Sequence, residues 1–447
     1  MMGRLTDDGD KLFYSFSLDK KVPADHLLRR IDRFLEFDDL RRHLQRFYSH
    51  TGRPSIDPEL MIRMLIVGYC YGIRSERRLC EEVDMNLAYR WFCRLGLEDA
   101  VPDHSTFSKN RHGCFRESGL FRALFEATVM RCMSEGLVTG EGFAIDGSIV
   151  AADANRQRAV PADDDVDWSD PSLSTRPVRE YLQAVELQNA PKKSVSLTDP
   201  GARWTAASGG KAYFAWTTNY LIDVEHSVIV DVEPTTAYRS AEVDASRTML
   251  DRTERAFGLK PKRFIGDTAY GSVDLVHWIV EEKHIEPHVS LWERPPRDGI
   301  FHHKEFVYDA KTNSYTCPAG KLLKQYRRNF KVPRSEIPKS GIRNYRATKA
   351  ECDSCPLKPK CCPGIAGRKI IRHIHEASRD LVRQIMKTVE YEQSRRDRKK
   401  VEMSFAHLKR IMKLDRLRLR GPTGARDEFT LAAAVQNLRK LAIYAAN

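Results

Sequence analysis

The sequence lacks a long apolar run. Nowhere do eighteen apolar residues follow one another, and residues 1–30 carry charges throughout, without the apolar stretch of a secretion signal. Helices that cross a bilayer and signals for export both depend on such runs. We therefore expect a cytoplasmic protein with no membrane partner.

Cysteine is scarce and unevenly placed. The 447 residues include ten cysteines, of which five stand alone and five crowd between positions 317 and 362. A secreted disulfide scaffold needs more cysteines in a more even arrangement, so this class of protein is excluded. We expect buried thiols at the isolated positions, which are Cys70, Cys80, Cys93, Cys114 and Cys132.

The chain is long and rich in positive charge. Its 74 Lys and Arg residues outnumber 61 Asp and Glu residues, which leaves a net charge of +13. Such a balance suits a polyanionic partner, although it also serves solubility alone. The length exceeds one simple core and indicates two or three domains.

The order of elements predicts an α/β fold, α+β overall, in four segments. Residues 1–138 have the apolar spacing of successive helices and are expected to form an all-helical N-terminal domain. Residues 139–295 predict a mixed sheet with flanking helices. Residues 296–375, rich in proline, basic residues and cysteine, interrupt the pattern as an insertion, and residues 376–447 return to helices.

The helical segment contains clear start signals. Asp57 and Pro58 predict the beginning of a helix with an apolar face, and Ser75 and Asp103 are candidate caps of later helices. Short helices joined by tight turns permit a helix-turn-helix. The cations of this segment either contact phosphates or lie on solvated faces of a helical bundle; they are Arg74, Arg77, Arg78, Arg90, Lys109 and Arg111.

Short apolar and β-branched runs predict the strands of the central segment. They occupy residues 143–150, 212–216, 220–224, 227–232, 263–267 and 288–291. Helices are expected over about 240–257 and from Ser272 to about 280. A last amphipathic helix is expected after Gly421 and Pro422.

Three acids occupy positions that indicate chemistry. Asp146 lies within an apolar strand, where an uncompensated carboxylate carries a desolvation penalty. Asp267 ends another strand, where its alternative role is to cap the following turn. Glu402 is central to a strongly basic, helix-patterned stretch at 395–410. The three acids are 121 and 135 residues apart, and such a set on three elements is able to hold two divalent ions about 4 Å apart.

Ordered motifs along the chain resemble one known family. They are residues 52–58 (GRPSIDP), 71–78 (YGIRSERR), 102–106 (PDHST), 145–148 (IDGS), 198–200 (TDP) and 266–270 (GDTAY). In this order they resemble the DDE transposases of bacterial insertion sequences, over about residues 22–438. The resemblance implies an RNase H-like catalytic domain with flanking helices, and an enzyme that cuts and recombines DNA.

The resemblance also implies a site. Asp146, Asp267 and Glu402 would bind two Mg²⁺ ions, with Mn²⁺ as a substitute, and catalyse cleavage and strand transfer. Arg398 and Lys409, on the helical stripe of Glu402, would hold DNA phosphates.

One residue departs from the signature around the family's glutamate. Arg398, Glu402 and Lys409 match it, but Arg395 stands where the family has a tyrosine. Tyr391, one helical turn earlier, is a candidate substitute.

The partners implied are double-stranded DNA, as transposon ends and target, and at least a second copy of the chain on DNA. Residues 1–138 would be the domain that binds the DNA ends. The place implied is the bacterial cytoplasm, in association with the nucleoid. Two alternatives remain open. One is a transposase-derived DNA-binding protein without catalysis, and the other is a metal-dependent nuclease without strand transfer.

The clustered cysteines have the spacing of a metal site. Cys317, Cys352, Cys355 and Cys361 are separated by thirty-four, two and five residues, and Cys362 adjoins the last. Four thiolates favour tetrahedral Zn²⁺. An iron–sulfur cluster or plain reduced thiols are the alternatives.

Overall fold

The structure is a computed structural model that describes residues 16–37, 40–47, 55–116, 118–184, 187, 193–206, 210–293, 295–326 and 340–444. Residues 52–54 of the first family-like motif lie outside this part, as does the side chain of Cys114. The chain divides into two compact units. The first unit is Met1–Pro261 with Asp397–Asn447, and the second is Lys262–Arg396.

Helices fill the N-terminal part of the first unit, as predicted. They are α1 (Leu18–Lys21), α2 (Leu27–Asp32), α3 (Leu40–Leu44), α4 (Pro58–Tyr71), α5 (Glu76–Met85), α6 (Leu87–Phe92), α7 (His104–Asn110) and α8 (Leu120–Ser134), with a single 3₁₀ turn at Gln45–Phe47 and a π-helical segment at Arg111–Phe115. The Asp57 carboxylate accepts the Glu59 amide at 2.8 Å and so begins α4. Ser75 and Asp103 cap α5 and α7 in the same way, which confirms all three start signals.

Strands follow in the first unit. They are β1 (Gly142–Ala151), β2 (Ala159–Pro161), β3 (Ser194–Ser196), β4 (Arg203–Thr205), β5 (Tyr213–Asp223) and β6 (Ile229–Thr236), accompanied by turns at Arg156–Arg158 and Pro171–Leu173 and by α9 (Arg176–Gln183) and α10 (Arg239–Phe257). β5 pairs antiparallel with β1 along one edge and with β4 and β6 along the other. β2 and β3 pair with each other.

The predicted break between strands at 212–216 and 220–224 is wrong. β5 runs unbroken through Thr217, Thr218 and Asn219, which are buried polar residues with backbones paired on both sides. The Asn219 amide donates to the Glu233 carbonyl at 2.9 Å and to Thr235 Oγ1 at 3.0 Å. Backbone pairing on both sides and the two Asn219 N–H bonds thus keep in the strand a polar run that a sequence pattern assigns to a loop.

The second unit contains parallel and antiparallel pairs. Its elements are β7 (Arg263–Gly266), a 3₁₀ turn at Thr268–Gly271, α11 (Val273–His277), a π-helical segment at Trp278–Glu282, β8 (Glu286–Val289), a 3₁₀ turn at His303–Glu305, β9 (Val307–Asp309), β10 (Ser314–Thr316), β11 (Leu322–Gln325), β12 (Ile342–Arg346), α12 (Lys349–Asp353), α13 (Lys358–Cys361), β13 (Lys369–His373) and α14 (Glu376–Ile385). β7 and β8 are parallel. The later five strands form an antiparallel sheet in the order β13, β12, β11, β10, β9.

Two long helices close the chain. The boundary between the units falls within α15 (Val389–Arg410), and α16 (Gly421–Tyr444) belongs to the first unit. The prediction that this last helix is amphipathic is wrong, because every residue from 428 to 438 is buried. α16 packs against α8 and β6, so it serves as a core helix that is buried on all sides over this stretch.

The chain is a mixed α/β protein with a helical N-terminal region. Four of the predicted buried thiols are confirmed, at Cys70, Cys80, Cys93 and Cys132. In the described part of the chain, no helix is both long enough and apolar enough to cross a membrane.

Candidate active site

Asp146 lies in the middle of β1, as predicted. The preceding residues of the strand, from Phe143 to Ile145, are fully buried, and Asp146 stands opposite Tyr220 of β5. Its Oδ1 accepts the Gly147 amide at 2.8 Å. An apolar strand therefore holds the acid with one oxygen engaged by the neighbouring backbone.

Helix α15 carries Glu402 and packs on the sheet of the first unit. Val401 and Leu408 are fully buried, and the Phe405 ring stacks on Tyr220 with centroids 4.7 Å apart. Because Tyr220 faces Asp146 across the ladder, this contact places the Glu402 turn of the helix beside Asp146.

Two further contacts secure α15. The Lys400 ammonium donates to the Val224 carbonyl at 2.6 Å, at the end of β5. Beyond the helix, the Leu417 amide donates to the Ala151 carbonyl at 2.8 Å, at the end of β1. The helix is thus attached to the sheet before and after Glu402.

Arg398 bridges the two acids. Its guanidinium nitrogens lie 3.5 Å from Asp146 Oδ2 and 3.2 Å from Glu402 Oε1. The side chains of Asp146, Arg398 and Glu402 are 24%, 31% and 52% exposed. The bridge relieves repulsion between two carboxylates while solvent still reaches the cluster.

Lys409 follows Glu402 by two helical turns on α15 and is half-buried. Burial lowers the pKa of its ammonium, and the nearby Asp415 carboxylate opposes that shift.

The residues that depart from the family signature lie in the second unit. Arg395 is exposed and pairs with Glu392 at 3.1 Å, while Tyr391 is buried with its hydroxyl 2.9 Å from Ser290 Oγ.

Asp267 lies in the second unit, directly after β7. Its Oδ1 accepts the Ala269 amide at 2.7 Å and so caps the turn at Thr268–Gly271. Gly271 permits the loop to return beside the Ser290 carbonyl, since a Cβ here would lie far inside van der Waals contact. The structure thus groups Asp146, Arg398 and Glu402 in one unit and gives Asp267 a defined position in the other.

Glu242 of α10 is a neighbour that sequence reasoning missed. A Cβ built on Gly147 would lie 3.2 Å from the Glu242 carboxyl carbon. Successive strand residues face opposite sides of a sheet, so this acid lies across the sheet from Asp146. Gly147 makes room for it, and no sequence signal links the two.

Three of the predicted phosphate contacts are instead structural. Arg74 pairs with the fully buried Glu428, and Arg111 pairs with Glu76 at 3.0 Å. Arg90 is buried and donates to the Gly96 carbonyl at 2.9 Å. The three arginine side chains are buried and are engaged by carboxylates and carbonyls, so their guanidinium groups are not presented to DNA phosphates. The exposed members of the set are Arg77, Arg78 and Lys109.

Asp199, in the TDP motif, is also buried. Its Oδ2 accepts the Trp216 indole N–H at 3.1 Å. Burial raises the pKa of this carboxyl to about 6, against the lowering effect of the Trp216 hydrogen bond. This hydrogen bond joins the loop of Asp199 to strand β5, which is a structural role.

Oxygen donors dominate the site, which suits a hard divalent cation such as Mg²⁺. Asp146 and Glu402 supply two carboxylates around one guanidinium. Within the ranges that the structure covers, no three His, Cys, Asp or Glu side chains are grouped so as to hold a metal ion as they stand.

Two family models match the chain. Residues 16–113 match the family described as Transposase domain (DUF772), and residues 316–442 match the family described as Transposase DDE domain. Arg398, Glu402 and Lys409 lie in the second match, whereas Asp146 and Asp267 lie outside both. Among solved structures, none matches the chain at a significant level. Because an N-terminal transposase domain and a DDE domain containing Glu402 occur in one chain, the protein belongs to the DDE transposases of insertion sequences.

Proposed function

We propose that the protein binds the terminal inverted repeats of its insertion sequence, cleaves the DNA there and joins the freed 3′-hydroxyl to target DNA. The proposal places the chemistry at Asp146, Asp267 and Glu402, in an RNase H-like catalytic domain. The observation that carries it is the Arg398 bridge, through which acids from distant parts of the sequence share one cation.

Asp146 and Glu402 would hold divalent metal with Asp267 as the third acid. Mg²⁺ fits their oxygen donors, and Mn²⁺ substitutes for it. When bound, two such ions activate the attacking oxygen and stabilise the leaving oxygen of the phosphodiester. The packing of Phe405 on Tyr220 supports this role, because it holds the Glu402 helix against the strand of Asp146.

Arg398 has two tasks in this proposal. Without metal, it offsets the charge of the acid pair. With metal and DNA present, it turns to a phosphate of the transposon end, where a planar guanidinium binds two oxygens. Lys409 would hold a second phosphate, and its half-buried stem limits the directions in which the ammonium points.

DNA is the natural partner of this charge distribution. The net charge of +13 favours binding to a polyanion, with an affinity that falls as salt rises. We propose that synapsis of two ends requires at least a dimer on DNA, and that the protein acts at the nucleoid in the cytoplasm.

The test is an assay of purified protein on labelled terminal-repeat DNA with Mg²⁺. Wild type should nick the end and transfer it to a target plasmid. Asp146→Asn, Asp267→Asn and Glu402→Gln should each abolish both steps while DNA binding persists. Glu392→Gln, an exposed change on the same helix as Glu402, is the matched control and should retain both activities.

The products separate the alternatives. DNA binding without cleavage in wild type would identify an inactive DNA-binding descendant. Cleavage without joined product would identify a nuclease. Activity retained in any of the three acid variants would refute the assignment of that residue.

A further inference from the structure

Five cysteines of the second unit face one small cavity. The thiol-bearing residues lining it are Cys317, Cys352, Cys355, Cys361 and Cys362. Its free volume is about 20 Å³, which is roughly the room of one water molecule. Residues as distant in sequence as 317 and 362 thus present sulfur to a space for a single small ligand.

Cys317 lies in the turn between β10 and β11. The Lys321 amide donates to Cys317 Sγ at 3.3 Å, and the Gly320 amide donates to the Cys317 carbonyl at 2.8 Å. Gly320 has φ of +74°, a left-handed conformation that glycine adopts without strain. This turn places a backbone N–H donor against the Cys317 sulfur and so fixes its position at the cavity.

The next two cysteines lie at the end of α12. Thr348 and Glu351 form a reciprocal capping box that fixes the start of this helix. The Cys355 amide donates to the Cys352 carbonyl at 3.2 Å, so one tight turn presents both thiols to the cavity.

Cys361 and Cys362, at the end of α13, are the last two cysteines that line the cavity. Cys362 is buried and its amide donates to the Lys358 carbonyl at 2.9 Å. Its thiol lies beside those of Cys352 and Cys361.

Basic residues surround the thiols. Lys321, Lys358 and Arg368 line the same cavity, together with one acid, Glu351. Arg368 donates to the Cys361 carbonyl at 3.0 Å and to the Phe301 carbonyl at 3.0 Å. Four thiolates around a divalent ion carry a net charge of −2, and these cations would offset it.

The small sheet around the cavity has a modest core. Its buried side chains are Phe306, Tyr315, Leu323, Tyr345, Ala347, Cys352, Cys362 and Ile370. Two of these eight are cavity cysteines, so the thiols are part of the interior of the sheet. Small units with so little apolar interior commonly depend on a metal or a cross-link.

We propose that Cys317, Cys352, Cys355 and one of the adjacent pair Cys361 and Cys362 bind one structural Zn²⁺ ion. Among the described residues, no three His, Cys, Asp or Glu side chains already have the positions of metal ligands. Binding draws four sulfur atoms to about 2.3 Å from the ion in a tetrahedron and releases the protons of the bound thiols to solvent. This inference does not depend on the proposed DNA chemistry.

The first experiment measures metals in full-length protein purified without chelator and without a metal-affinity step. We expect one zinc and no iron per chain by plasma mass spectrometry. Cys317→Ser, Cys355→Ser and the double variant Cys361→Ser with Cys362→Ser should lose the zinc. Cys80→Ser removes a buried thiol from the helical part of the first unit and should keep it.

A second measurement uses wild-type protein and therefore does not depend on whether the cysteine variants fold. Wild-type protein, stripped of metal and refilled with Co²⁺, should show the intense visible absorption of a tetrahedral cobalt–thiolate centre. Zinc-free wild type with every cluster thiol open to a thiol reagent would overturn the proposal. Iron with a sulfide charge-transfer spectrum would overturn it in favour of an iron–sulfur cluster, and equal zinc loss in Cys80→Ser would show that the site lies elsewhere.

Discussion

The Phe405 ring stacks on the Tyr220 ring, with centroids 4.7 Å apart and planes inclined by 25°. Tyr220 stands directly opposite Asp146 in the strand ladder, and Phe405 lies one helical turn after Glu402. This aromatic contact is therefore the one that packs the helix of Glu402 directly against the residue opposite Asp146. Offset stacking of two large buried rings also contributes to stability.

Replacing Phe405 should therefore affect both stability and the site. Phe405→Ala should lower the free energy of unfolding by about 3 kcal/mol, because it leaves a cavity under α15. Cleavage of terminal-repeat DNA should fall as well, since Glu402 loses its support. Urea unfolding and the cleavage assay measure the two effects. Met403→Ala changes an exposed side chain two residues earlier and should leave both quantities unchanged; equal effects of the two substitutions would contradict this account.

Removing the cation of the bridge should strengthen metal binding. Arg398→Ala removes a positive charge beside Asp146 and Glu402, so the affinity for Mg²⁺ should rise about three- to five-fold in the absence of DNA. Calorimetric titration with Mg²⁺ measures this change. Cleavage should nevertheless fall, because the phosphate contact is lost. Arg395→Ala, an exposed charge on the same helix, is the control and should alter neither. An unchanged or weaker Mg²⁺ affinity in Arg398→Ala would show that the guanidinium does not compete with metal.

The loop after Asp267 should not tolerate a side chain at Gly271. An alanine Cβ at this position overlaps the Ser290 carbonyl, so Gly271→Ala should cost about 1–3 kcal/mol of stability. The displaced loop should also reduce cleavage by moving Asp267. Gly364→Ala adds a Cβ with nothing within 4 Å and serves as the control. Thermal unfolding and the cleavage assay on both variants decide the matter, and wild-type behaviour of Gly271→Ala would count against the observed loop.

Asp199 should make stability depend on pH. Burial, the largest effect, raises the pKa of its carboxyl from 3.8 to about 6. As the pH rises, the unfolded chain loses this proton before the folded chain does. The contribution of Asp199 to the free energy of unfolding is therefore greatest below about pH 4, falls between pH 4 and 6, and is constant above about pH 6. The full change corresponds to about 3 kcal/mol.

Asp199→Asn removes that ionisation and tests its sign. The variant should gain stability relative to wild type as pH rises from 4 to 6, because asparagine still accepts the Trp216 indole N–H. Exposed Asp164→Asn is the control and should track wild type. Urea midpoints at several pH values provide the comparison, and a difference that shrinks with rising pH would reverse the assignment.

Local signals predicted much of the fold. Asp57, Ser75 and Asp103 cap helices because their carboxylates or hydroxyl reach amides two or three residues away. The strand of Asp146 and the helix of Glu402 were likewise evident from periodicity. The polar residues inside β5 led to the wrong prediction of a break. The Asn219 side-chain N–H groups donate to strand β6, which lies outside the local window of sequence that a pattern uses.

Whether a given arginine is exposed or buried in an ion pair could not be predicted from the local sequence. Arg74 and Arg77 are three residues apart and look alike in sequence, yet Arg74 pairs with Glu428 in α16 while Arg77 is exposed. Only a partner 354 residues away distinguishes them.

The sequence by itself determined the residue types of the site, the helices and strands that carry them, and the family, because these depend on neighbours within a few positions. Only the tertiary structure decided that Arg398 bridges Asp146 and Glu402, that Glu242 lies across the sheet, and that five thiols face one cavity. These relations are contacts between distant segments, and packing of rings and strands sets them.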